Sequence, residues 1–395
     1  MMSRTMRGIR TVLVGGALLG TTIAMGSGTA FAKDPIEVGM AVALTGYLAT
    51  FDTQGLDGVK LMTNRLNASG GIDGHKINLH ILDDASNATT GVSVTNQLLN
   101  QFNIDVMING LSSAQNAAIE PILERAKVPQ LDFSVLPPNP KWAFEANILN
   151  DKSDALEVDY AAKALHAKTV ALVFSQTPYG QNAASSMKQR AEKLGMKVVF
   201  SQGIEPSVTD MTPQMAALKA AAPDAVIDKL TGSTHIVEAK AAQTVGLTIP
   251  IVMAQDDIPT LNRVFASYAN AVFIATGSVA YPNVPNPETK AACAAFIDTY
   301  TEAKHDPAAI AGASFGWDAV RILAKAIEMA GGATKGDKLL SGFERTTVQG
   351  CNTLYKFSAS DHSGQQDVPN EIQIARLKDG KVDVVYAEKE LRLAQ

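Results

Sequence analysis

The stretch IEVGMAVALTG, residues 36–46, decides the fold. Residues 36–44 form a near-continuous apolar run, the pattern of a parallel strand buried on both faces. Thr45-Gly46 breaks the run. A helical stretch follows over about 52–67 until Gly70-Gly71 stops it, glycine supplying the left-handed turn at low cost. The same unit recurs as strand 77–82, helix 89–100, strand 104–108, helix 114–126 and strand 128–133. Such helices are the crossovers that parallel strands require. The polar segment 150–154 interrupts the series. It restarts with strands at 170–174, 197–200, 225–230, 249–253 and 271–276, and helices at about 181–194, 211–221, 235–245 and 261–267. The economical reading is an α/β chain of two doubly wound, Rossmann-like units in tandem.

The texture changes at Pro282, Pro285 and Pro287, which mark a connector. Three helical stretches, about 288–303, 317–329 and 337–344, then need a sheet face to cover, and the first unit is the expected host. Residues 372–377 and 382–386 flank Lys378-Asp379-Gly380-Lys381, and Asp-Gly between apolar alternations signals a hairpin.

Residues 1–32 read as an export signal. Arg4, Arg7 and Arg10 precede an apolar stretch over about 12–25, then small residues and Ala30-Phe31-Ala32. The apolar stretch is shorter than the roughly 20 residues that span a bilayer, and an uncleaved anchor is the alternative. Cleavage after Ala32 removes three Arg and no acid, so 363 of the 395 residues remain and the net charge moves from −5 to −8. That length implies two domains. So acidic a chain is a poor candidate for nucleic acid, whose affinity rests on neutralising phosphates. Export makes a disulfide between Cys293 and Cys351 the expectation, two buried free thiols being the alternative. The six His are scattered, with no Cys/His cluster, so no metal or other cofactor is expected.

Open α/β sheets bind ligands at the C-terminal edges of their strands. With strand order 2-1-3-4-5, three junctions of the first unit lie side by side: Leu44-Thr45-Gly46-Tyr47, Gly110-Leu111-Ser112-Ser113 and Phe133-Ser134-Val135-Leu136. The first is not G-x-G-x-x-G, so a dinucleotide fingerprint is absent. Ser112 and Ser113 open a helix whose free amides favour anions, and one of them is also a natural cap. Across a cleft the second unit offers Tyr179-Gly180 and Gln255-Asp256-Asp257. An amino acid fits that pairing, its carboxylate on helix amides and its ammonium on a side-chain carboxylate. Tyr47, Leu136 and Tyr281 are candidates for the side-chain pocket. Gly312-Ala313-Ser314-Phe315-Gly316 matches the G-x-S-x-G nucleophile elbow. Residues 304–310 do not read as the buried strand an elbow needs, so a helix start is the reading and a secreted serine hydrolase using Ser314 the alternative.

At these residues the chain resembles type I periplasmic solute-binding proteins of the branched-chain amino-acid (Leu/Ile/Val) group, which serve ABC importers. The likeness is carried by Leu44-Thr45-Gly46, by NASGGIDG at 67–74 and by Leu82-Asp83-Asp84. Gly110-Leu111-Ser112-Ser113, Pro178-Tyr179-Gly180-Gln181 and Gly316-Trp317-Asp318-Ala319 add to it. The resemblance implies two lobes joined by three crossover segments, lobe 1 from 33–150 and 281–352 and lobe 2 from 151–280 and 353–395. It implies no catalysis and a periplasmic monomer that hands its ligand to an inner-membrane ABC permease, a membrane sensor being the alternative partner. It also implies that Ser113 holds a ligand carboxylate, that Ser134 offers backbone groups and that Tyr179 closes from the other lobe.

Two departures bear on the ligand. Leu136 stands about where amino-acid binders often carry Thr. Gln255 falls near their ammonium-binding acid, with Asp256 and Asp257 adjacent. If either aspartate holds an ammonium, its Ala variant weakens an amino-acid ligand and leaves a simple acid untouched. A non-amino organic or aromatic acid, or an amide, is the alternative ligand. The cysteine pair that some members carry near Ala85 and Ser112 is missing.

Overall fold

The computed structural model describes residues 33–137, 139–147, 150–364, 366 and 371–387, and the expected export signal lies outside them. The described residues open with β1 (Lys33–Val42), α1 (Ala49–Ala68), β2 (His75–Asp83), α2 (Ala88–Gln97), β3 (Val106–Asn109), α3 (Ser113–Ala126), β4 (Gln130–Asp132) and β5 (Ala143–Glu145). The five strands make one parallel sheet in the order β2-β1-β3-β4-β5. Alternation along β1 builds both of its faces. Ile36, Val38, Met40 and Val42 join a core with Phe51, Leu56 and Val59 of α1, whereas Ala41 packs with Ile119 and Leu123 of α3 on the other side.

The second series is α4 (Asn150–Lys163), β6 (Thr169–Ser175), α5 (Pro178–Lys193), β7 (Lys197–Ile204), α6 (Thr212–Ala220), β8 (Ala225–Lys229), α7 (Ser233–Thr244), β9 (Ile251–Met253), α8 (Ile258–Ser267) and β10 (Ala271–Ala275). The chain continues through α9 (Gly277–Ala280), α10 (Pro287–Glu302), α11 (Ile310–Met329), α12 (Gly336–Phe343), β11 (Thr347–Gln349) and β12 (Leu354–Lys356). The hairpin β13 (Gln373–Lys378) and β14 (Lys381–Ala387) then completes a second sheet, ordered β14-β13-β10-β9-β8-β6-β7. Strand β13 runs antiparallel to both of its neighbours, β10 and β14, and the other pairs are parallel.

The block after α9 returns to the first sheet by laying α11 on α1, backbone to backbone. A Cβ at Gly58 would stand 1.8 Å from the Ala313 carbonyl oxygen, and one at Gly316 would stand 1.9 Å from that of Gly55. Cys293 of α10 is bonded to Cys351 beyond β11, their Cα atoms 4.2 Å apart.

Three sequence expectations change. Helix α11 begins at Ile310, not near 317, so the G-x-S-x-G motif lies within a helix and its outer glycines serve the contact with α1. Ser314 is fully buried, within 2.8 Å of the Ala311 carbonyl oxygen and 3.0 Å of the Ser278 hydroxyl. Strand β5 carried no sequence signal. Finally, residues 150–154 are not an interruption but the first turn of α4. Ser153, Asp154 and Glu157 are buried there, because the polar face of that helix meets Lys229 rather than water.

Candidate functional site

The strands of both sheets deliver their C-terminal ends to one cavity. Tyr47 and Leu48 follow β1, Leu111 and Ser113 follow β3, and Ser134 follows β4. From the second sheet come Thr177 and Tyr179 beyond β6, Lys229 and Thr231 at the end of β8, and Gln255 beyond β9. Phe51 and Phe315, ring centroids 5.4 Å apart, supply an apolar wall. Asn147, Asn150 and Ser153 enter from the crossing into α4. The cleft encloses about 630 Å³ of space between atoms, part of it open to solvent.

Helices α1, α3, α5 and α7 begin at this cleft, as does α4 with Asn150. Leu48 caps α1, Ser113 opens α3, Thr177 caps α5, and Thr231 stands two residues before α7. The unpaired amides of helix starts carry partial positive charge and favour anions. The loops are tied from beneath. Asp52 of α1, fully buried, accepts from the Ala43 N–H at 3.0 Å and the Leu111 N–H at 2.9 Å, joining the β1 and β3 junctions. Burial pushes its pKa up to about 7. Gly110 is required beside it, since a Cβ there would stand 2.0 Å from the Asp52 carboxylate. The Tyr47 phenol is pushed up to about 12, chiefly by burial, with Asp52 and Asp84 adding to it.

Lys229 is the charged centre of the second side. Its ammonium lies 2.8 Å from Glu157, 2.9 Å from Asp154 and 3.1 Å from the Ser153 hydroxyl, with the Tyr179 ring 5.8 Å away. Burial works against its charge, but Asp154 and Glu157 outweigh it and hold the ammonium well above its ordinary pKa. Burial in turn pushes Glu157 up to about 8. Gln255 is oriented by Thr276, whose N–H (3.0 Å) and hydroxyl (2.7 Å) both donate to its Oε1. A backbone N–H can only donate, so the amide oxygen must face Thr276 and the NH2 group is the free end.

The two sides touch across the cleft. The Tyr179 N–H donates to the Ser113 hydroxyl at 3.4 Å, and the Ser233 N–H to the Tyr47 carbonyl at 3.5 Å. Gly232 sits at this contact with φ +59° and ψ −136°, and a Cβ on it would stand 2.5 Å from the Tyr47 carbonyl oxygen.

Tyr47, Ser113, Ser134, Tyr179 and Gln255 thus border one cavity. Ser112 stands behind it, accepting from the Gln115 N–H at 3.4 Å as the cap of α3. Leu136 belongs to an adjoining groove with Val135, Pro140 and Asn182, because the chain turns away after Ser134. Tyr281 does not border the cavity; it packs against apolar cores elsewhere. Asp256 is committed within the second lobe, accepting from the Gly232 N–H (2.8 Å), from Nδ1 of His235 (2.5 Å) and from the Asp257 N–H (2.8 Å). Asp257 caps α8 through the Thr260 N–H at 2.8 Å. Neither aspartate reaches the cavity, so the expectation that one of them meets an ammonium is withdrawn.

Sequence reasoning missed Lys229, Phe51, Phe315, Thr177 and Thr231. For Lys229 a signal existed: Asp228-Lys229 closes an otherwise apolar strand, and charges there must find partners inside. Phe315 was hidden inside the hydrolase-like motif.

A sequence profile described as periplasmic binding protein matches residues 35–381. The chain belongs to this family. Its members are solute-binding proteins of the periplasm rather than enzymes. Leu/Ile/Val-binding protein homolog 1 of Brucella melitensis is 30% identical over 223 residues, 54% of this chain and 58% of that protein. An amino acid binding protein of Pseudomonas aeruginosa is 26% identical over 48% of the chain and 52% of its own length. The chain thus matches little more than half the length of these relatives. Solved structures extend the likeness of fold. A leucine binding protein from Thermotoga maritima superposes with TM-score 0.77 at 20% identity, covering 89% of this chain and 98% of that one. A branched-chain amino acid binding protein from Streptococcus pneumoniae, in complex with isoleucine, gives 0.75 at 21%, covering 89% and 99%. A solute binding protein from Rhodopseudomonas palustris, in complex with 4-hydroxybenzoate, gives 0.77 at 17%, covering 90% and 97%.

Proposed function

We propose that this periplasmic binding protein captures a small carboxylate-bearing solute with an apolar body and presents it to an ABC permease. The observation that carries the reading is the make-up of the cavity. Helix starts meet there with Ser113, Ser134, Thr177 and Thr231 in the lining, and no Asp or Glu is among the described residues that line it. The carboxylate rests on the donors around Ser113, and the apolar body lies along Leu48, Phe51, Leu111 and Phe315. Isoleucine and 4-hydroxybenzoate, bound by two proteins of like fold, share this form.

Micromolar affinity corresponds to about −8 kcal/mol. Two or three charge-assisted hydrogen bonds at ~1.5–3 kcal/mol each, with about 1.5–3 kcal/mol for one buried apolar side chain, reach that figure. Closure follows because Ser113 and Tyr47 gain partners from the other lobe only when the lobes meet. Export by residues 1–32 with cleavage after Ala32, and lobes of 33–150 with 281–352 and 151–280 with 353–395, belong to the same proposal.

A thermal-shift screen of amino acids, organic acids, amines and sugars tests it, since a ligand at 100 times its Kd adds about 2.7 kcal/mol to stability. The reading expects stabilisation by carboxylates. Stabilisation by amines or sugars alone contradicts it.

A further inference from the structure

The geometry points to a ligand with no ammonium group beside its carboxylate, and to Gln255 as the residue that enforces this. The inference rests on the carboxylate reading above and narrows it.

A buried ammonium needs a countercharge, because taking an unpaired charge out of water is costly. The described lining of the cavity supplies no Asp or Glu, and it already contains a cation, Lys229. The carboxylates behind the lining are engaged within the protein: Asp154 and Glu157 pair with that lysine at 2.9 and 2.8 Å, Asp52 accepts from the Ala43 and Leu111 N–H groups, and Glu145 accepts from the Asn150 amide. Asp256 and Asp257, next to Gln255 in sequence, hold the backbone of the second lobe instead.

Gln255 itself presents the wrong polarity for an amine. Both bonds from Thr276 fall on Oε1, which leaves an NH2 donor at the cavity. Two N–H donors repel an ammonium and pair with an oxygen. The matching ligands are carboxylic acids whose adjacent carbon bears no nitrogen: plain, 2-hydroxy, 2-oxo and aromatic acids.

Calorimetry on matched sets decides the matter. Each set carries one side chain (methyl, isopropyl, isobutyl or benzyl) on an amino acid, the 2-oxo acid and the plain acid. In every set that binds, the tighter non-amino member is expected to exceed the amino acid at least tenfold. Gln255→Glu keeps the shape and both Thr276 bonds while turning a carboxylate oxygen to the cavity. It is expected to move that ratio at least tenfold toward the amino acid. The inference is overturned if the wild-type protein prefers the amino acid, or if Gln255→Glu leaves the ratio unchanged. Should that variant fail to fold, the wild-type ratio still decides. If no set binds and no other carboxylic acid of the thermal-shift screen stabilises the protein, the carboxylate reading falls and takes this inference with it, an outcome distinct from a preference for amino acids.

Discussion

Replacing Lys229 with Met strands two carboxylates. The lysine side chain is 2% exposed, and its partners Asp154 and Glu157 are 3% and 0% exposed. Met fills most of the vacated volume but offers no charge. Deleting one member of a buried ion pair costs about 3–5 kcal/mol. The carboxylates escape in part by taking up protons. Burial already raises both, Glu157 to about 8, and loss of the lysine raises them further. The destabilisation is therefore larger at pH 8 than at pH 5, where protonation relieves it. Urea unfolding followed by circular dichroism measures it. With m of about 3 kcal/mol/M, the midpoint at pH 8 falls by about 1–1.7 M. Adding Asp154→Asn and Glu157→Gln removes the stranded charges and recovers most of the loss. A single variant as stable as wild type at pH 8, or a triple variant no better than the single, would refute internal pairing of α4 with β8.

Gly232→Ala places a methyl where the Tyr47 carbonyl approaches, at a backbone conformation that only glycine adopts readily. Ligand affinity is expected to fall about tenfold or more, a loss of at least ~1.4 kcal/mol; unchanged affinity by calorimetry would deny that the lobes meet there. Stability should decline as pH rises from 5 to 8.5. Burial lifts Asp52 and Asp257 to about 7 and Asp132 and Glu157 to about 8, so between about pH 4 and 8 the folded chain holds protons that the unfolded chain has released. Their contribution is complete below the ordinary carboxylate range and is lost as pH climbs through 7 and 8. A melting temperature that rises across that window would contradict this. Cys293 and Cys351 lie 58 residues apart, and closing a loop of that length takes about 4 kcal/mol of chain entropy from the unfolded state. Replacing both by Ser should therefore lower the unfolding free energy by several kcal/mol, and a change under ~1 kcal/mol would show that the bond constrains little.

Strands β1 to β4 of the first sheet were legible because apolar runs such as 36–44 alternate with helices, whereas the three-residue β5 was not. Helix α4 was not legible. Amphipathic patterns assume that the polar face meets water, and Ser153, Asp154 and Glu157 instead meet a lysine 72 or more residues away. The motif around Ser314 was legible as part of a helix but not in its role, because its glycines serve a helix crossing that depends on Gly55 and Gly58 in a distant segment. At the end of β9 neighbouring side chains point in opposite directions. Gln255 faces the cavity while Asp256 faces His235, and the sequence alone does not say which of the two does which.

The most direct test is a crystal structure of the protein with the tightest-binding solute from the screen. The account predicts a carboxylate within about 3.2 Å of the Ser113 hydroxyl or the first amides of α3, with the apolar body against Phe51 and Phe315. A ligand seated outside this cleft, or lying in it with its apolar end at Ser113, would contradict it.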